Sequence, residues 1–352
     1  MLLKNSIFTA PIALCISGII GATAATAQDG WTVTNDIPPP NHASQSLFDA
    51  ISQTPTPPSS EETPAIDDVE GWIALSEANN KPFTYLVPQL AEKLGVTVEK
   101  AEIAGVTVYW VTPSVIAPEN KDRLFVHTHG GGFSIGYGDA APFEAISIAH
   151  YAQMRAISID YRTIPLHPFP AALDDVLAVY LELLKDYDPA AVAMGGSSAG
   201  GNLAMASIHN FNMQGVPAPG AYFGGTPWAD IAKEGDSYFI NEGIDRILPL
   251  YDGILGEQAK IYAGDNDMTN PLISPVYGDF TNFPPSQLVT GTRDLLLSPT
   301  IRTHRAMRAA GIIADLNVYE GVSHGEFLIY TDLPESVEVF TELGAFLDEH
   351  LK

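Results

Sequence analysis

The sequence predicts an α/β fold in which a mainly parallel, doubly wound sheet is wrapped by helices. Beyond residue 120, short apolar runs at 124–127, 156–159, 192–194, 221–223, 287–290 and 316–319 alternate with helical patterns. Strands and crossover helices alternate in this way in parallel sheets. The stretches 173–184 and 337–351 carry apolar residues three and four apart, and Pro334 is placed to open the last helix. With 352 residues, 46% of them hydrophobic, the chain can bury a sizeable core without disulfide or metal staples.

The first 27 residues read as an export signal. Lys4 precedes an uncharged apolar stretch at 7–20, and Ala25-Thr26-Ala27 sets cleavage before Gln28. Pro11, Gly18 and Gly21 make this stretch a poor lipid-spanning helix. Leu14 stands before Cys15 where a lipidation signal wants Gly or Ala. Cleavage removes Cys15, the only cysteine, so the mature chain is expected outside the cytoplasm, periplasmic or extracellular, with no thiol nucleophile, disulfide or thiolate metal site.

Residues 28–64, with Pro38-Pro39-Pro40 and Pro55-Thr56-Pro57-Pro58, read as a Pro-rich flexible tether. In 65–95, Val69, Trp72 and Ile73, then Leu86, Leu90 and Leu94, suit one or two short amphipathic helices. From 96 to 112, alternating β-branched residues break at Ala104-Gly105, which predicts a hairpin. Acids outnumber bases 42 to 17, for a net charge of −25. A surface of that sign repels phosphates and anionic headgroups, so no nucleic-acid partner and no stable membrane insertion are expected.

Polar chemistry gathers at the carboxyl ends of the predicted strands, where a doubly wound sheet places its sites. After the run at 192–194 comes Gly195-Gly196-Ser197-Ser198-Ala199-Gly200-Gly201 and then a helical pattern. This is G-x-S-x-G in a strand-turn-helix context, a sharp turn that lifts a serine oxygen clear of the sheet. After 124–128 stands His129-Gly130-Gly131-Gly132-Phe133, whose glycines leave N–H groups free to face an oxyanion. Asp294 follows the run at 287–290, and His324 follows the run at 316–319. The chain order Ser, Asp, His is that of a hydrolytic triad built on this kind of sheet.

These residues resemble the hormone-sensitive-lipase-like branch of the α/β-hydrolase carboxylesterases, over roughly residues 95 to 352. The resemblance extends to Asp160-Tyr161-Arg162 and to His167-Pro168-Phe169-Pro170-Ala171-Ala172-Leu173. It implies Ser198 as nucleophile, His324 as base and Asp294 as orienting acid, with the N–H groups of Gly131, Gly132 and Ala199 forming the oxyanion hole. His129 is implied as a loop organiser, and Asp160, Tyr161 and Arg162 as a buttress. A catalytic domain over 96–352 is expected, with a cap made from 65–95 and an insertion at about 227–271, in which Trp228 is the expected substrate contact. The sequence departs from the family's commonest pattern at Ser197, where many members have Asp, at Leu166, where many have Glu, and at Leu295, where many have Pro.

The expected reaction is hydrolysis of a short-chain ester or small lactone through an acyl-serine, with no task for a metal or organic cofactor. Gly136-Tyr137-Gly138-Asp139-Ala140-Ala141, with Asp160 beyond, mimics a nicotinamide-binding turn, but its first glycine does not directly follow a strand. Asp265-Asn266-Asp267 lacks the spaced ligands of a calcium loop. The alternative from another class is a catalytically silent binding module on the same fold, which a broken triad would mark. Nothing in the sequence sets the oligomeric state.

Overall fold

Eight strands form one sheet: β1 (Val96–Ile103), β2 (Val106–Pro113), β3 (Leu124–Thr128), β4 (Ala156–Ile159), β5 (Val192–Ser197), β6 (Ala221–Gly225), β7 (Ser286–Gly291) and β8 (Ala314–Tyr319). Their spatial order is β1-β2-β4-β3-β5-β6-β7-β8. This is a computed structural model, and it describes residues 37–53 and 63–352. The expected signal segment 1–27 and the tether residues 28–36 and 54–62 lie outside the described residues. The first two strands make the predicted hairpin, turning at Ala104 (φ 52°) and Gly105 (φ 81°). Positive φ at both turn residues is what a two-residue hairpin loop needs to match strand twist. β2 runs antiparallel to β4, and every pairing from β3 to β8 is parallel.

The helices are α1 (Gln45–Gln53), α2 (Val69–Leu94), α3 (Phe143–Tyr151), α4 (Ala171–Leu183), α5 (Ala199–Gln214), α6 (Ser237–Ile240), α7 (Ile254–Ala263), α8 (Leu297–Ala309), α9 (Glu326–Ile329) and α10 (Pro334–His350). Strand side chains alternate between two cores, as a period of two requires. Leu124, Val126, Val192, Met194, Tyr222 and Leu288 pack with α4, α5 and α8. Phe125, Ala193, Phe223 and Val289 pack with α3 and α10. Both faces of the sheet are thereby covered, which is why the parallel strands read as unbroken apolar runs.

The structure differs from the sequence reading in three places. Strands β5 and β6 run on into glycines, with Gly195, Gly196 and Ser197 still paired to Phe223, Gly224 and Gly225. Hydrophobic runs do not register glycine, so the strands looked shorter than they are. Residues 69–94, expected as one or two short helices, form a single helix of 26 residues with Pro82 and Pro88 inside it. Asp68 caps its start by accepting from Gly71 N at 2.9 Å, and Gly95 closes it in the left-handed region. Its buried stripe of Trp72, Ser76, Asn80, Val87, Leu90 and Ala91 continues past both prolines. Tertiary packing along that stripe overrides the local cost of proline.

The third difference lies in the expected tether, where α1 is folded and docked. Leu47 is fully buried in the second core. Ser44 N and Oγ donate to the Glu335 carboxylate at 2.8 and 2.9 Å, tying this segment to the first turn of α10. Composition marked the prolines on either side but not the four-residue spacing of Leu47 and Ile51. Leu47→Ala is expected to destabilise the protein by about 2–5 kcal/mol, the range for a large apolar side chain removed from a core. Urea unfolding of the two proteins checks this, and equal stability would return residues 45–53 to the tether.

Candidate active site

The backbone that carries Ser198 is strained. Ser198 sits at φ 57°, ψ −124° between β5 and α5, a conformation that costs a non-glycine residue on the order of 1–3 kcal/mol and must be held by its surroundings. Ser198 N donates to Gly225 O at 2.8 Å, and Ser198 O accepts from Trp228 N at 3.0 Å. The neighbours must also be small. A Cβ on Gly200 would run into Thr128 O and His129, and one on Gly130 would come within 2.9 Å of Ser197 O. The two glycine-rich motifs, far apart in the chain, therefore lie against each other.

Ser197 and Ser198 face different surroundings. Ser197 Oγ donates to Glu144 Oε1 at 2.6 Å, and Ser197 N reaches Glu144 Oε2 at 3.1 Å. The same Oε2 is 3.0 Å from His127 Nε2, and His127 Nδ1 is 2.9 Å from Ser158 Oγ. All four side chains are buried. Ser197 thus belongs to a polar network behind the turn and anchors the strand end on α3.

Asp294 and His324 are joined directly, with His324 Nδ1 3.1 Å from Asp294 Oδ1. Because a carboxylate only accepts, Nδ1 carries the proton and Nε2 is left as the basic nitrogen. Asp294 also accepts from Thr290 Oγ1 at 2.7 Å, from Leu296 N at 2.8 Å and from Thr226 Oγ1. Thr226 Oγ1 lies 2.8 Å from His324 Nδ1 as well, so one buried hydroxyl touches both partners. Burial disfavours the imidazolium of His324, but the charge and hydrogen bond of Asp294, then the charge of Asp245, outweigh it. The His324 pKa is raised above the ordinary value of 6.5.

Thr226 and Asp245 escaped the sequence reading. Thr226 is the first residue past β6, at φ 41°, with its N–H on Val289 O at 2.6 Å. Its place at a strand's carboxyl end was the available signal. Asp245, wholly buried, accepts from Leu295 N at 2.7 Å and from His324 N at 3.2 Å. Burial and the nearby Asp294 push its pKa up to about 6. No local pattern marks it.

Gly131 (φ 105°) and Gly132 (φ 59°) turn their loop beside the Ser198 elbow. Ala199 opens α5, where the first N–H groups have no intrahelical acceptor. Among the described residues, the N–H groups of Gly131 and Gly132 donate to no protein acceptor. His129 stacks on Tyr161 at 4.0 Å, with its Nδ1 on Gly130 O at 2.9 Å. Burial pushes its pKa down to about 3, so it stays neutral. Tyr161 OH donates to His129 O at 2.7 Å, Asp160 Oδ1 accepts from Gly138 N at 2.8 Å, and Arg162 pairs with Asp175. The bond from Gly138 to Asp160 ties the stretch that mimicked a nicotinamide turn to the end of β4.

Trp228, expected as a substrate contact, stands in the core instead. Its side chain has no exposure, and its ring centroid lies 6.0 Å from that of Phe133. Its main chain is what reaches the site, through the bond to Ser198 O. A residue just past a strand can turn its side chain either way, and here the apolar interior took it. Among the described residues no group of three or more His, Cys, Asp or Glu is arranged to hold a metal ion, and no helix is long and apolar enough to cross a membrane.

The fold and its family recur in known proteins. A family profile described as alpha/beta hydrolase fold matches residues 125–328. An acetyl-hydrolase of Streptomyces hygroscopicus is 30% identical over 244 residues, 69% of this chain and 81% of that one. The crystal structure of an esterase E25 superposes with a TM-score of 0.89 at 46% identity, covering 92% of this chain and 99% of that one. An esterase from the bacterial hormone-sensitive lipase family superposes with a TM-score of 0.72 at 29% identity, covering 83% and 100%.

Proposed function

The chain belongs to the alpha/beta hydrolase fold family and is a carboxylic ester hydrolase, and from that premise we propose that it works through a serine triad of Ser198, Asp294 and His324. The observation that carries this reading is the 3.1 Å bond from His324 Nδ1 to Asp294 Oδ1. That pair touches Thr226, whose flanking residues hold the strained backbone of Ser198. One corner of chain therefore sets the acid, the base and the serine.

Ser198 Oγ attacks the ester carbonyl carbon while its proton passes to His324 Nε2. The carbonyl oxygen becomes an oxyanion, and the N–H groups of Gly131, Gly132 and Ala199 stabilise it. Asp294 holds the tautomer and favours the imidazolium that forms. Collapse expels the alcohol, which takes the proton from His324, and leaves an acyl-serine. Water, deprotonated by the same imidazole, then attacks the acyl carbon, and the acid leaves as Ser198 recovers its proton.

The substrates in this reading are small esters or compact lactones, since a lactone differs only in keeping its leaving group tethered. Support comes from the acetyl-hydrolase relative. Selectivity for short chains has to come from shape, because each added methylene is worth only about 0.8 kcal/mol.

Ser198→Ala and His324→Ala are each expected to lower kcat roughly a thousandfold or more, because triad members act as a unit. Ser197→Ala should lose far less, since its hydroxyl serves Glu144. Steady-state kinetics of the three variants check the assignment, and greater sensitivity at Ser197 would reverse it. Because the His324 pKa is raised, more base is needed to free Nε2, so kcat/KM should fall on acidification with a midpoint above 6.5. A pH–rate profile with a lower midpoint would contradict the stabilised imidazolium. Along a p-nitrophenyl ester series, kcat/KM should peak at roughly six acyl carbons or fewer. A steady rise through long chains would instead describe a lipase.

A further inference from the structure

We infer that Asp245, supplied by the segment between β6 and α7, is a positioning residue that locks the loop of Asp294 to the loop of His324. The inference rests on the triad reading above. Asp245 Oδ1 accepts from Ile247 N and Leu248 N at 2.9 Å each, which closes its own turn. The carboxylate also accepts from Leu295 N at 2.7 Å and from His324 N at 3.2 Å. Leu295 directly follows the triad acid, and His324 is the base. One rigid group therefore sets the spacing of the two backbones whose side chains must meet.

Its setting agrees with that role. A wholly buried carboxylate beside a second one is costly unless its lone pairs are filled, and here four N–H groups fill them. The same segment grips both loops elsewhere. Asn241 Nδ2 donates to Asp294 O at 2.7 Å, Ser237 Oγ to Leu295 O at 2.7 Å, and Arg246 N to Ser323 Oγ at 3.2 Å. Arg246 also pairs with buried Glu326, whose other oxygen accepts from Ser323 N at 2.7 Å. A segment expected only to cover the pocket thus reaches behind the triad. Leu295, one of the departures from the family's commonest pattern, supplies an N–H that proline would lack.

The charged groups about His324 are Asp294 from the loop after β7 and Asp245 from the insertion, with the Arg246–Glu326 pair beside them carrying both signs. Replacing Asp245 by Asn keeps the shape, removes one charge and sets an amide N–H₂ against a backbone N–H. Asp245→Asn is expected to lower kcat roughly a hundredfold, the effect of about 1 Å of misplacement, with KM little changed. The acid limb of its pH–rate profile should move to lower pH, because one of the two carboxylates favouring the imidazolium is gone. Leu295→Pro keeps the charge and removes one donor, so kcat should fall by a smaller factor with the acid limb in place. Both are measured beside Ser198→Ala, with unfolding followed by circular dichroism. An Asp245→Asn protein that unfolds cooperatively yet keeps the native kcat or an unmoved acid limb overturns the inference. Should that variant not fold, Leu295→Pro decides, and native kcat there overturns it. Loss of cooperative unfolding in both also overturns it, since Asp245 then serves the fold and not the triad. Full activity in Ser198→Ala, by contrast, marks failure of the serine reading itself.

Discussion

The strained corner at the end of β6 is the constraint on which the site depends. Gly225 O holds Ser198 N, Trp228 N holds Ser198 O, and between them Thr226 places its hydroxyl on Asp294 and His324. Neither Ser198 nor Thr226 would choose a positive φ in isolation. Each is kept there by bonds to a neighbouring strand, so the sheet's rigidity becomes the rigidity of the site. Proline at position 227 adds to this by removing one freedom from the same four residues.

Buried acids are the second layer of the design. Glu144 secures the residue before Ser198, Asp294 the His324 imidazole, and Asp245 the loops that carry Asp294 and His324. Asp230 takes a bond from Tyr277 OH at 2.9 Å and pairs with Arg302, which fastens the chain beyond Trp228 to α8. Each is saturated by N–H or O–H donors, which is the condition for keeping such a group inside. For an esterase this arrangement has a further use. In the proposed mechanism, proton transfer from serine would create a cation at His324, and fixed negative charge already in place would stabilise it without reorganisation.

The acidic surface and the buried acids are separate features with separate consequences. A net charge of −25 acts outward, on solubility and on encounters with charged partners. The inner carboxylates act over a few ångströms, where the dielectric is low and a single charge shifts a neighbour's titration. Composition reports the first and is silent on the second.

What the sequence by itself determined is local. The β3 to β8 runs, the hairpin at Ala104-Gly105, the two glycine motifs and the order of Ser198, Asp294 and His324 all rest on spacings within a few residues or on chain order. They survive in one dimension because strand pitch, turn geometry and the elbow's need for small neighbours are properties of short stretches. Only the tertiary structure decided that α1 docks on α10, that Trp228 turns inward, and that Ser197 serves Glu144, 53 positions away. It alone brought Thr226 to His324 across 98 positions and Asp245 to the same residue across 79. Those partners share no spacing that a pattern can register. They meet because parallel strands deliver the ends of distant segments to one edge of a sheet, where burial leaves each polar group no partner but the others.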